Sequence, residues 1–480
     1  MKLFPLLLAV VILLGACKKN KDDGSSKGAH PYFKDILMNE SVNGAQPFQH
    51  ALGYFPLSSD PTVQIMVASR GKEELYDGRG FRVASINKTN GSVNWIKSYE
   101  LDDSYSIQIA TCAVMDKNEN IWVGGHSFLP TVNNISLFLL KLDKQGNMLW
   151  SKTFSNYMGW RAYALSALNN GDIAFLTKSA AGMTVHRLTA DGQPVWSVQA
   201  ICTTQAIVDN DYYDKPSYVL SPENHGLTEA SDGSIFFASS SNSSAGGVGG
   251  VDRLVRLDAN GNFLFAKTYS MDNNTSVIRP VQLLTAGDGR LLMADQTYVS
   301  TPIGPAQYFS LLSLDGNVLV SRGRSPGATG ISSFNLNEVK FFQNKIYFST
   351  CGGREFDTYV LDLNLQLKSS VKTAAAVDIG TDRGGVSLFD QGDQSLYYIL
   401  NFGGNPGESN GFEVVRNDLN GKPCINTYKD PAVLTLEDKH ITVAADTLLT
   451  VSAGPAVTFA PLTWKALPVS ARSTENVCGL

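Results

Sequence analysis

The sequence predicts an all-β fold: a seven-bladed β-propeller of four-stranded antiparallel blades, with a short β-like C-terminal tail. The first observation is a recurring phrase. It is clearest as KLDKQGNMLWSKTF from Lys141, and it returns as RLTADGQPVWSVQ from Arg187 and RLDANGNFLFAKTYS from Arg256. Looser copies start at Ile86, Leu312, Leu361 and Arg416. Each reads as strand, tight turn, strand, with a glycine (Gly91, Gly146, Gly192, Gly261, Gly316, Gly421) supplying the positive φ of a short hairpin loop. The second observation is another phrase, a polar turn entering a β-branched or aromatic strand, that precedes each copy: DKNENIWVGG at Asp116, NNGDIAFLT at Asn169, SDGSIFFAS at Ser231, GDGRLLMAD at Gly287. Two hairpins per repeat make four strands, and the spacing of the turn glycines suits propeller blades with insertions. The third is composition: 17% charged residues and 43 glycines fit turn-rich β structure.

Taken in order, residues 1–16 read as a signal segment. Lys2 precedes an apolar run, Leu3–Leu14, too short to remain as a membrane-spanning helix. Residues 17–29 form a polar tether, residues 30–429 the propeller with a lead-in to its first blade, and residues 430–480 a tail that closes the ring or forms a small β appendage. An aromatic follows most turn glycines by four residues (Trp95, Trp150, Trp196, Phe265), placed to pack on a neighbouring sheet. The copy at Leu361 carries Asn364 in its turn and lacks a glycine, so it is the weakest.

Leu14-Gly15-Ala16-Cys17 resembles the lipobox of bacterial lipoproteins. The resemblance implies cleavage before Cys17, its lipidation, a membrane partner through that anchor, and location in the cell envelope as an outer-membrane lipoprotein. The phrase TNGSVNW (Thr89–Trp95) resembles the tryptophan-docking motif of quinoprotein-like propellers, in blade shape alone. Their cofactor does not carry over, because the adjacent Cys pair of the quinoprotein enzymes is missing. Cys424 and Cys478 resemble a Cys pair of lipid-anchored Bacteroidetes propellers, which implies a disulfide between them.

Chemical signatures are sparse. The six histidines show no metal-ligand spacing and no C-x-x-C exists, so no metal and no cofactor is expected. G-x-S-x-G occurs at Gly24 and Gly323 without the strand–turn–helix context of a nucleophile elbow. Asp143, Asp258 and Asp418 precede turn glycines and read as turn-bonding residues. A net charge of −5 argues against nucleic acid.

Both tight turns of a blade fall on one face, so the remaining connections share the other. These are long and unlike one another, and variable loops on a rigid repeat frame are where ligands bind. Near the starts of first strands on that face stand Trp160, Arg161, His225, Arg279 and Arg383, a set that could grip an anionic glycan or peptide at the central channel. The expected function is a non-catalytic, monomeric binding or scaffold propeller with a glycan or protein ligand. The alternatives are a propeller-type glycan hydrolase or lyase and, behind it, a quinoprotein-like oxidoreductase.

Overall fold

A computed structural model describes residues 32–38, 49–70, 79–101, 107–129, 134–155, 159–179, 182–202, 226–241, 251–271, 277–278, 282–286, 288–300, 303–324, 335–342, 344–352, 355–374, 385–390, 395–402, 411–418, 436–438, 441–447, 449–455, 457–468 and 471–477. All of them belong to the compact unit Pro31–Leu480. Among the described residues every regular element is a strand.

One plan repeats. Strands Gln49–Pro56, Val63–Arg70, Arg79–Asn87 and Val93–Leu101 are hydrogen-bonded antiparallel in chain order. Four-strand sets of the same order span 107–155, 159–202, 227–271 and 335–374, and the 277–324 set follows it with a split first strand. Hydrogen bonding gathers all strands into six sheets, because a short parallel bridge, Arg79–Gly80 with Gln108–Ile109, joins the first two sets into one ten-stranded sheet. The structure is therefore all-β, organised in antiparallel sheets, mostly of four or five strands, of propeller type.

The sets pack face to face through apolar clusters. One lies between 49–101 and 107–155 (Ile65, Val67, Phe81, Ile121, Phe138), another between 107–155 and 159–202 (Trp122, Leu139, Phe154, Phe175). Because a set is covered on both sides, its middle strands lose the apolar–polar alternation of a half-exposed sheet. Ile65, Met66, Val67 and Ala68 are consecutive and all buried. First strands touch in order: Gln49–Pro56 lies against Ile107–Met115, which lies against Gly159–Ala167. At the far end of the chain Gly385–Asp390 lies against Gln49–Pro56.

Two regions differ from the sequence reading. The lead-in before the first blade contains a strand, Tyr32–Met38, that pairs antiparallel with Gly411–Asp418. The chain's first strand thus completes the sheet of its last repeat, beside Gly385–Asp390 and Ser395–Phe402. YFKDILM is a single strand with no hairpin phrase, so repeat spacing could not reveal its partner.

The tail is the second difference. It runs back along the sets in reverse order and adds one outer strand to each that it meets. Glu437–Asp438 pairs with Val318–Arg324, Ile441–Ala445 with Phe263–Met271, and Leu449–Ala453 with Pro194–Cys202. Thr458–Pro461 follows on Met148–Ser155, Trp464–Pro468 on Val93–Leu101, and Ala471–Val477 on Tyr32–Met38. A strand edge left open is a template for stray pairing, and the tail covers six of them in part. Side chains fix it in place. Trp464 is buried against Phe81 and Phe138 at ring-centre distances of 5.4 and 4.9 Å. Asp446 pairs with Arg253 at 2.9 Å, both side chains buried, and Asp438 pairs with Arg322 at 2.9 Å.

Candidate functional site

Each set has two ends of different character. At one end lie the tight turns that join first to second and third to fourth strands. Asp143 shows their chemistry. Its Oδ1 accepts the amides of Gln145 and Asn147 at 2.9 and 2.7 Å, and the Gly146 amide donates to its carbonyl at 2.9 Å. Asp258 repeats the pattern with Asn260 and Asn262. Gly146 has φ +71°, and a Cβ there would come within 2.8 Å of the Trp95 ring. The repeat aromatics therefore dock on the turn of the following set: Trp95 on Gly146, Trp150 on Gly192, Trp196 on Gly261, Phe265 on Gly316.

Lysines two residues further on finish the joint. Lys97 donates to the carbonyls of Gln145 and Gly146 at 2.9 and 3.2 Å, and Lys152 to those of Asp191 and Gly192 at 3.0 and 2.7 Å. Tyr99 donates to the Gly146 carbonyl, and Tyr269 to that of Gly316 at 2.7 Å. Where glycine is missing, the side chain is secured instead. Leu365 takes φ 58° next to Asn364 and is buried in an apolar cluster. Glu119 takes φ 62° and accepts from the hydroxyls of Ser58 and Ser59, the Ser59 amide (2.6 Å) and Lys144 (2.9 Å). Burial opposes its ionisation, but the hydrogen bonds from Ser59, Lys144 and Ser58 outweigh that and bring its pKa down to about 2. Every polar group at this end is committed to holding neighbouring sets together.

The opposite end carries the connections from second to third strands and from one set to the next. They range from 180–181 to 203–226. Of the predicted ligand residues, His225, Arg279 and Arg383 lie outside the described residues, as do Cys17, Cys424 and Cys478. Trp160 and Arg161 stand here at the start of strand Gly159–Ala167, beside a register shift, and Arg161 is paired in register with Lys178.

Beneath the loops this end holds buried ionisable side chains that the sequence reading did not single out. Arg82 and Lys178 are 0% and 1% exposed, and Asp252 and Asp295 each 3%. Arg82 Nε donates to Ser98 at 3.3 Å. Amide side chains tie sets to each other: Gln108 accepts the Leu101 amide at 2.6 Å, and Gln282 the Val339 amide at 2.9 Å. Charge this deeply buried is costly unless paired, so it concentrates field at the floor of the loop end. A signal was present in the sequence: each charge interrupts an apolar strand, as in GFRVAS, AFLTKS and LLMADQ.

Two carboxylates approach each other elsewhere. Burial pushes Glu229 up, with Asp172 adding to the effect and the Asn169 amide opposing it. Glu229 accepts that amide at 2.6 Å, and Asp172 is held by Arg187 at 2.8 Å, so both serve the join between sets. Among the described residues no three His, Cys, Asp or Glu side chains are placed to hold a metal ion. Among them, too, no helix is long and apolar enough to cross a membrane.

No family model and no curated protein matches the chain. Among solved structures it is similar to the polysaccharide lyase Uly1, at 10% identity over 82% of this chain and 99% of that one, with a TM-score of 0.45. A protein of unknown function from Dyadobacter fermentans DSM 18053 is similar at 11% identity over 82% and 99%, TM-score 0.44. The propeller of Dos1 is similar at 10% identity over 81% and 96%, TM-score 0.44.

Proposed function

We propose that this chain is an envelope lipoprotein whose seven-bladed propeller binds an anionic glycan or peptide on its loop end. Counting the ten-stranded sheet as two blades and the 385–418 strands with Tyr32–Met38 as the last makes seven. Contact between Gly385–Asp390 and Gln49–Pro56 supports a closed ring. The lipobox at Cys17 supports the anchor.

The observation that carries the binding reading is the contrast between the ends. Polar groups at the turn end are spent on joints between sets. Those at the loop end lie under connections of unequal length and include buried charge with Trp160 and Arg161 above it. Guanidinium groups there would hold a carboxylate or phosphate bidentately, and Trp160 would stack on a sugar or aromatic portion. Binding is preferred to catalysis because Glu229 and Asp172, the neighbouring acids, are held by structural donors.

Two measurements test this. Cells fed a fatty-acid analogue should label the parent protein, and Cys17→Ser should abolish the label. Equal labelling of both would refute the anchor. On an array of acidic and neutral glycans the protein should bind acidic members, and Arg161→Ala with Arg279→Ala should weaken that binding at least about tenfold, as for losing one charge-assisted pair. Unchanged binding would refute the site.

A further inference from the structure

Large exposed apolar side chains are confined to one zone. Leu149, Val195, Phe263, Leu264, Leu319 and Leu367 each occupy the first or second position of a fourth strand, at its turn end. Leu149, Val195, Leu264 and Leu319 all stand three residues after a turn glycine and are 48–56% exposed. In the 49–101 set the same position is Asn94, also exposed. The tail does not cover this zone, because its strands pair with 152–155, 198–202, 267–271 and 322–323, further along the same strands. Four consecutive sets thus present matching apolar groups on a rim left bare.

The chain enters the fold at this same end. Tyr32 pairs with Arg416, near the finish of a third strand, where the tight turns of the other sets lie. The residues before it are a polar tether with a root-mean-square reach of roughly 20 Å, leading back to Cys17. A protein held to a bilayer by Cys17 is therefore held by its turn end. The charged groups there are already occupied: Asp143 and Asp258 by their own turn amides, Lys97 and Lys152 by carbonyls of the next set. Contact would rest on apolar burial at the headgroup boundary rather than on attraction to anionic lipid.

We propose that the turn-end rim carrying Leu149, Val195, Phe263, Leu264 and Leu319 is a lipid-contacting surface, on which the anchored protein rests with its loop end facing away from the bilayer. This rests on the lipid-anchor reading, and the test separates the two. Full-length lipidated protein is placed in phosphatidylcholine vesicles, its flotation is scored, and amide hydrogen exchange is compared with the Cys17→Ser protein free in solution. Exchange in 148–151, 194–197, 263–266 and 318–321 should slow by about tenfold in vesicles, as for amides withdrawn from water, while 449–453 stays unchanged. A variant with Asn at 149, 195, 264 and 319, copying Asn94, should float and melt like the parent yet lose that protection. Flotation without protection would overturn the contact and leave the anchor standing. Failure to float would overturn both. The same protection in Cys17→Ser protein at high concentration without lipid would assign the rim to contact between copies.

Discussion

The turn end and the loop end of these sheets are built from the same strands and do opposite things with polar side chains. At the turn end Asp143, Lys97 and Tyr99 saturate one another across neighbouring sets, so repeat regularity becomes rigidity. At the loop end Arg82, Lys178 and Asp295 are buried singly in apolar strands under connections that share no pattern. A repeat fold can hold an irregular surface because its opposite surface is uniform.

That contrast can be broken from the turn-end side first, where stability resides. Trp464→Ala should cost about 3–5 kcal/mol, the range for emptying a buried Trp site. It removes the ring between Phe81 and Phe138 and frees the tail from the first set. Urea denaturation and protease sensitivity near residue 464 would register it. A loss below 1 kcal/mol would mean that the tail is an accessory.

A Cys424–Cys478 bridge is expected to rank next. Arg416 and Val477 pair with opposite sides of Tyr32, two strand spacings or about 10 Å apart. The two cysteines follow those strands closely in sequence. Closing that loop would contribute roughly 4 kcal/mol in the chain-entropy model. Peptide mapping after alkylation without reductant should find the pair linked, and free thiols at both positions would end the idea.

Gly146→Ala tests the joint itself. It forces a side chain into φ +71° and against the Trp95 ring, so a loss of roughly 1–3 kcal/mol is expected. An acid titration should give a smaller, conditional effect. The folded-state pKa of Glu119, about 2, lies below its ordinary value of 4.5. Its contribution is therefore complete above 4.5 and is lost as pH falls through about 2. Melting followed across that window should show a shallower acid decline in Glu119→Gln than in the parent. Parallel curves would show that the Ser58–Ser59–Lys144 cradle does not report on folding.

How much of this was readable in the sequence follows the same divide. The turn end was legible because Gly146, Asp143 and Trp95 recur with their partners at fixed offsets, and local hydrogen bonding needs only local sequence. The Leu361 copy was weak by that criterion, and burial of Leu365 replaces the missing glycine. Tyr32–Met38 and the tail strands escaped because strand pairing across the whole chain leaves no local trace. The loop end was legible only as a region. Trp160 and Arg161 fall there, but Arg82, Lys178 and Asp295 were overlooked because a charge within an apolar strand is read as an interruption until its burial is known.

The most direct measurement compares one variant from each end in the same samples: Arg161→Ala with Arg279→Ala, and Glu119→Gln with Lys144→Ala. Melting temperature and binding to the best acidic glycan are read together at neutral pH. The loop-end variant should lose binding while melting within error of the parent, and the turn-end variant should melt earlier while binding as the parent does when folded. Loss of binding by the turn-end variant alone, or a stability loss from the loop-end variant as large as that from the turn-end one, would contradict the division between the two ends.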